Sequence, residues 1–440
     1  MKRLFVKLIG ICCALIIAAP LEAGLVPKRS VLENGMVLLT SEQKALPMVS
    51  IELLIDAGSR YDAPGQEGLG NLAAKLLTYG TKRRSALQIS DTLDFLGASL
   101  STGCSDDLAN ISLTILKKDL TTGLDLLAEI LTTSTFPQPE IDRQKQSIIA
   151  SIRAREESPG DIAQRRFAAA LFPESPYGRP AEGTEASVKS IQRQSLVQFY
   201  GRYYRPNRSI LAVVGDVSDQ EITQALNRAF RLWKKGEPGG KPLVPKLIGS
   251  SQVIRVNKDL TQANIMMGHE GIPRNHPDYY AIQVMNYILG GGGFSSRAMD
   301  SIRNQSGLAY SVYSYFGAEK SHGTFAFVMQ TKNETAEEAI RIAREEIRRM
   351  QGQPVGEQEL AEAKDYLTGS FPLRLDTNHK VASFLAQVEF FQLGLDYPDR
   401  YADLIRKVSR EDVQRVAKEY LHPEKLITVI VGNQKKAANK

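Results

Sequence analysis

Two kinds of hydrophobic spacing alternate along this chain, and the alternation is written twice. After the turn signal ENG at 33–35, the stretches MVLLT and VSIELLID are short, apolar and rich in branched residues, so residues 31–58 read as two strands in a hairpin. Helical spacing follows at 68–78 and 86–96. Residues 98–117 return to alternation in two runs, the second being ANISLTIL. Helices are then predicted at 120–132 and 139–155, the latter with Ile141, Ile148, Ile149 and Ile152 on one stripe. A helix around 195–203 and a buried strand, SILAVVG, close this half.

The second half repeats the order, with a strand at 262–268, a helix at 279–289 and a later strand at 324–330. PQPEIDRQK, ending at Lys145, parallels GEQELAEAK, ending at Lys364, at an offset of 219; YYRPNRSILAVVG, ending at Gly215, parallels EYLHPEKLITVIVG, ending at Gly432, at an offset of 217. Offsets this close predict a duplicated unit. The join, KKGEPGGKPLVPKLIGSS at 234–251, has a linker's Gly, Pro and Lys content, which leaves domains at 24–233 and 252–440. Each is expected to be a mixed or antiparallel sheet with its helices grouped on it, an α+β fold, and the two together a two-lobed molecule with a cleft.

One stretch carries the most chemistry: LGGGGFSSRAMDSIRNQSGLAYSVYSYF, residues 289–316. Gly290, Gly291, Gly292 and Gly293 give a backbone free to take positive φ and to lie against another chain, and Phe294 follows them. A helix is predicted over 294–305 with Gly307 as its C-cap, then an alternating strand over 310–316. Arg303 and Tyr310 fall at the helix end and the strand start. A dinucleotide reading of the glycines fails because a helix precedes them, and no G-K-[ST] follows for a phosphate loop.

Lys2, Arg3 and Lys7 precede or flank an apolar run at 8–19, and PLEAG follows, as in a secretory signal cleaved after Ala23. The run is shorter than the roughly 20 residues a membrane-spanning helix needs. Export is therefore expected, with the periplasm as the compartment. Removing residues 1–23 takes away three bases and one acid, so the formal charge of +6 falls to +4. That excess, without a basic stripe or recognition motif, excludes a nucleic-acid partner. Cys104 alone remains after cleavage, so no intrachain disulfide can form, and it reads as a small core thiol. The five histidines are scattered without an i, i+4 pair; His269-Glu270 has no second histidine and runs into Gly271 and Pro273, which argues against a metal there.

The order of elements, the duplication and two motifs together resemble the pitrilysin or insulinase-like zinc peptidases, the inverzincins, including mitochondrial processing peptidase and short bacterial members. GSRYDAPGQEGLGNLAAKLLTYGT at 58–81 looks like that family's active-site segment, and LGGGGFSSR with IRNQSGLAYSVYSYF looks like its C-terminal-domain signature. The resemblance implies a zinc helix with H-x-x-E-H, whose two imidazoles bind metal and whose Glu is the base. Those positions here hold Asn71, Ala74 and Lys75, and where the family has a third ligand, a Glu within 147–152, this chain offers Ala150 and Ser151. The resemblance also implies that Arg303 and Tyr310 bind substrate and steady the charged intermediate, and that Gly290 to Gly293 with Phe294 contact peptide. An always-charged guanidinium and a phenolic donor suit an oxyanion formed at a carbonyl.

The expectation is a non-catalytic subunit of an exported two-chain metallopeptidase. It would bind no cofactor itself, bind peptide substrate, and lend Arg303 and Tyr310 to a homologous partner that carries the zinc, with a homodimer as the other pairing. Two further readings stand beside it: a peptide-binding protein without proteolysis, and a stand-alone peptidase with an unorthodox site.

Overall fold

The computed structural model describes residues 25–239, 244–245 and 251–437; the expected signal peptide and the linker residues 240–243 and 246–250 lie outside them. The first sheet is built from β1 (Lys28–Val31), β2 (Val37–Glu42), β3 (Met48–Ile55), β4 (Ser99–Cys104), β5 (Ala109–Leu116) and β6 (Ser209–Gly215), in the order β1-β2-β6-β3-β5-β4. The second contains β7 (Gln252–Asn257), β8 (Gln262–Glu270), β9 (Ala309–Ala318), β10 (Gly323–Lys332) and β11 (Ile427–Gly432), in the order β7-β11-β8-β10-β9. β2 runs parallel to β6 and β7 to β11, while the other pairings are antiparallel, so the hairpin expected over 31–58 does not form: the ENG turn joins β1 to β2, and β6 lies between β2 and β3. With β1 set aside, the two connectivities superimpose strand for strand. The inferred duplication is thus a duplication of topology. It reaches single side chains: Lys145 Nζ donates to the carbonyl of Lys189 at 3.0 Å and also to that of Ile191, and its counterpart Lys364 donates to the carbonyl of Arg406 at 2.9 Å.

Strand β3 shows why these sheets need cover on both faces. Val49, Ile51, Leu53 and Ile55 enter the first half's own core, and the pleat sends Ser50, Glu52 and Leu54 to the other side. That second face is covered by a helix from the opposite half. Val381, Ala382, Leu385, Ala386 and Phe390 of the helix Asn378–Phe390 pack on Leu39, Leu54, Ala212 and Val214 of the first sheet. In return, Ala163, Phe167 and Leu171 of the helix Pro159–Leu171 pack on Met266, Ala326, Ile427, Val429 and Val431 of the second sheet. A Cβ at Gly268 would lie 2.8 Å from the Phe167 ring, so glycine is what lets this ring reach β8.

This exchange departs from the expectation that each sheet keeps its own helices. An i, i+4, i+8 stripe such as Ala163, Phe167 and Leu171 specifies an apolar face, and the face is satisfied by either sheet. Polar contacts fasten the crossing. Ser112 Oγ lies 3.1 Å from His379 Nδ1, the Arg29 guanidinium forks onto Glu389, and Lys258 meets Glu157 at 3.1 Å. Among the described residues no helix is long and apolar enough to cross a membrane.

Candidate functional site

The glycine-rich stretch begins where the helix Tyr279–Asn286 ends. Gly290 is buried against β9, and a Cβ there would stand 2.6 Å from the Ser314 nitrogen. Close approach to the chain's own strand therefore requires this glycine. Asn286, buried on the preceding helix, locks the contact: its Nδ2 donates to the Ser314 carbonyl at 3.2 Å and Ser314 Oγ donates to its Oδ1 at 2.8 Å. Gly291 and Gly293 are exposed, and Gly293 has φ +57 with open space about it.

Beyond the loop, Arg297 forks onto Glu359 with two bonds of 2.7 Å, joining it to the helix Glu357–Gly369. The predicted helix over 294–305 is present in altered form, as a 3₁₀ turn at Gly293–Ser295 and widened π-type turns at Met299–Gln305. Gly307, with φ +64, ends it as predicted: its N–H donates to the Arg303 carbonyl at 3.0 Å and that of Leu308 to the Ile302 carbonyl at 2.9 Å.

These constraints bring three of the expected site residues together. The guanidinium carbon of Arg303 lies 5.2 Å from the Phe294 ring centre and 5.3 Å from that of Tyr310. Both rings are 74% exposed, and among the described residues Arg303 has no carboxylate partner, its Nη1 lying 3.9 Å from the Met299 sulfur. Tyr310 stands on β9, the outer strand of its sheet. The result is a half-exposed cation flanked by two rings, an arrangement suited to a carbonyl oxygen or carboxylate brought from outside.

The positions that resemble the zinc site lie elsewhere, on the helix Leu69–Leu76 against the edge strand β4. Asp62 caps this helix, accepting from the N–H groups of Gly68 at 2.8 Å and Gly70 at 2.9 Å, while burial pushes its carboxyl up to about 7. Ala74 is buried, Lys75 is exposed, and the Asn71 Nδ2 is buried without a protein partner. Ala150 and Ser151 are exposed on the helix Gln138–Glu157, which packs on the first. An amide, an ammonium, methyl groups and a hydroxyl do not form a zinc ligand set, since zinc takes imidazole, thiolate or carboxylate and is repelled by a cation. Among the described residues no cluster of three or more His, Cys, Asp or Glu is placed to hold a metal ion. No hydrogen bond or ion pair among those residues joins this helix to Arg303 or Tyr310.

His269 is fully engaged in structure. Its Nε2 accepts the His422 N–H at 3.0 Å, so Nδ1 carries the proton and donates to the Glu270 carbonyl at 2.6 Å; burial pushes the ring down to about 4. Burial, with Asp62 and Asp106 nearby, pushes the Cys104 thiol well up. Three residues missed at the level of sequence are Asn286, Ser314 and Arg297, which hold the loop without touching its exposed face. The one available signal was Asn286, a polar residue in the run YYAIQVMNYILGG.

Matched sheets, a zinc-type helix emptied of ligands and a displayed Arg–Tyr pair define a peptidase-like chain without its own metal set. The insulinase (peptidase family M16) profile matches residues 37–185, and the peptidase M16 inactive domain profile matches residues 190–367. The chain belongs to peptidase family M16. It is 27% identical over 94% of its length to an uncharacterized zinc protease of Streptomyces coelicolor, covering 91% of that protein. It is also 27% identical to the Helicobacter pylori protein named non-peptidase homolog YmxG, over 94% of this chain and 96% of that one. Among solved structures, a peptidase M16 inactive domain from Pseudomonas fluorescens matches with a TM-score of 0.88 and 27% identity, covering 93% of this chain and 98% of the other. A Helicobacter pylori protease shares the fold, with a TM-score of 0.85 at 21% identity over 93% of this chain and 99% of that one.

Proposed function

We propose that this chain is a non-catalytic M16 subunit that pairs, outside the cytoplasm, with a homologue carrying an intact H-x-x-E-H, and that it lends Arg303 and Tyr310 to the partner's zinc site. One observation carries the reading. Arg303 stands between two exposed rings with no carboxylate partner among the described residues, while the helix Leu69–Leu76 of the same chain holds no ligand set. The non-peptidase name of the Helicobacter pylori relative and the inactive-domain profile support absence of cleavage by this chain alone.

In the assembly, the Arg303 guanidinium attracts and orients the substrate carbonyl or carboxylate, and Tyr310 donates its phenolic hydrogen to the developing oxyanion. The guanidinium rests between the two rings and against the Met299 sulfur of its own helix, and it turns from that contact to meet the substrate oxygen. The exposed backbone of Gly291 and Gly293, with Phe294, lies beside this pair and forms the peptide-facing side of the loop. Zinc belongs to the partner.

The test co-expresses the chain with an exported homologue bearing H-x-x-E-H, isolates the complex by size, and measures zinc per subunit and cleavage of a peptide library. The expected result is a one-to-one complex, zinc confined to the partner, and cleavage that neither chain performs alone. Stoichiometric zinc in this chain with chelator-sensitive activity, or a partner fully active without it, would refute the proposal.

A further inference from the structure

A cavity of about 470 Å³ opens on the crossing helix Asn378–Phe390, bounded by the turn Phe371–Arg374 and the start of the helix Tyr279–Asn286. Its charged lining has one sign. Arg274, Arg374 and Lys380 line it beside the imidazole of His379, and among the described residues no carboxylate does. Lys380 is offset by Asp376 at 2.8 Å, but neither arginine has an ion-pair partner among the described residues.

Arg274 is the unusual member, for it is only 9% exposed. Its neighbours are phenols: the guanidinium carbon lies 3.7 Å from the Tyr279 ring centre and 5.4 Å from that of Tyr397, and Nη2 donates to the Tyr397 hydroxyl at 2.8 Å. Aromatic faces offset part of the cost of burying a cation, and a guanidinium has five N–H donors, more than these phenols consume. Arg374, exposed at the rim, is stacked 5.6 Å from Tyr401 and 5.8 Å from Phe371.

A second basic cavity shows what a neutralised arginine cluster looks like in this fold. It has about 240 Å³ and is lined by Arg155, Arg165 and Arg179 together with Asp106, Asp161 and Glu182; the first two arginines both bind Glu182, at 3.0 and 2.8 Å, and the third meets Glu67 at 3.3 Å. Of these two cavities, the larger combines guanidinium groups that have no ion-pair partner among the described residues with an apolar wall, supplied by Phe384, Val388 and Phe391. Its volume suits a small organic ligand, and planar guanidinium forks match a carboxylate.

We infer that this cavity binds a carboxylate carried on an aromatic or similarly apolar body, with Arg274 and Arg374 as the anion partners. Such a group comes either from a free organic acid or from the C-terminus of a peptide. The site is independent of Arg303 and Tyr310 and of the subunit role proposed above.

Calorimetric titration of the intact mature chain tests this with two probe pairs: naphthoate against naphthamide, and the peptide acetyl-Ala-Phe with a free against an amidated C-terminus. One-to-one binding of at least one acid is expected, weakened about tenfold or more when the charge is removed from the ligand, or by Arg374→Gln or Arg274→Gln, as loss of a charge-assisted bond requires. Arg374 is exposed, so its variant keeps the test valid even where Arg274→Gln lowers stability. Naphthoate alone identifies a free acid as the source, and the peptide acid alone identifies a C-terminus. Binding by neither acid, equal binding of acid and amide, or unchanged affinity in Arg374→Gln overturns the inference.

Discussion

The guanidinium of Arg303 and the ring of Tyr310 stand 5.3 Å apart at the edge of the second sheet, one at the end of a widened helix and the other at the start of β9. Neither packs into a core, so replacing them should spare the fold. In a complex with the zinc-bearing homologue, Arg303→Ala or Tyr310→Phe is expected to leave assembly intact and lower turnover by roughly 100- to 1000-fold, the loss typical of one oxyanion donor. Size analysis and peptide cleavage on the same samples check both halves of the statement. Full activity in both variants would remove the shared site and leave a structural or peptide-binding companion.

Arg297 acts on the loop from behind, through Glu359. Arg297→Ala leaves a partly buried carboxylate without its fork and is expected to cost about 1–3 kcal/mol of stability. Arg297→Lys should recover little, because an ammonium cannot make both bonds. A double-mutant cycle with Glu359→Gln measures the coupling, which should be favourable; additive effects would show that the pair does not hold the loop.

The glycines should separate by mechanism. Gly290→Ala drives a methyl toward the Ser314 nitrogen and is expected to cost about 1–3 kcal/mol through overpacking. Gly293→Ala meets no neighbour and costs only the left-handed backbone, roughly 1–2 kcal/mol. Denaturant unfolding gives both values, and Ser314→Ala combined with Gly290→Ala tells whether the hydroxyl or the backbone is the obstacle.

Asp62 makes a signed prediction about pH. Its carboxyl is pushed up to about 7 by burial, whereas an unfolded aspartate titrates near ~4. Between those values the folded chain holds a proton that the unfolded chain has released, so this group's contribution to stability declines as pH rises through the window and is level above it. The stability of the wild type relative to Asp62→Asn is therefore expected to fall between about pH 5 and about pH 8 by at most about 3 kcal/mol, the part of the window between the two values that this range covers. Denaturant titrations at the two pH values decide it; a flat or rising difference contradicts the assignment.

The exchanged helices predict that the halves unfold together. Phe167→Ala and Leu385→Ala each open a hole between a helix of one half and the sheet of the other, at an expected cost of about 2–5 kcal/mol. Hydrogen exchange should show β6 and β11 losing protection in parallel in either variant. Protection lost in one sheet while the other keeps its full value would mean that the halves are independent units.

The duplication, the central strands and the stop at Gly307 were legible in the sequence because each is encoded locally, by a spacing of two or of three to four, by turn residues, or by repeats at constant offset. The absence of zinc ligands at Asn71, Ala74 and Lys75 was legible for the same reason, since residue type alone decides whether a side chain can bind metal. Tertiary structure alone decided which sheet each apolar helix stripe covers, because such a stripe fits any apolar face of matching shape. It also decided that Gly290 serves the chain's own β9, that Asn286 and Arg297 hold the loop, and that Arg303 has rings rather than a carboxylate beside it. Ser314 and Glu359 are distant in sequence from the groups they meet, and even the rings seven and nine residues from Arg303 reach it only through the turns of the chain between them, so the closing of the chain on itself determines which polar group finds a counter-charge and which is left to face solvent.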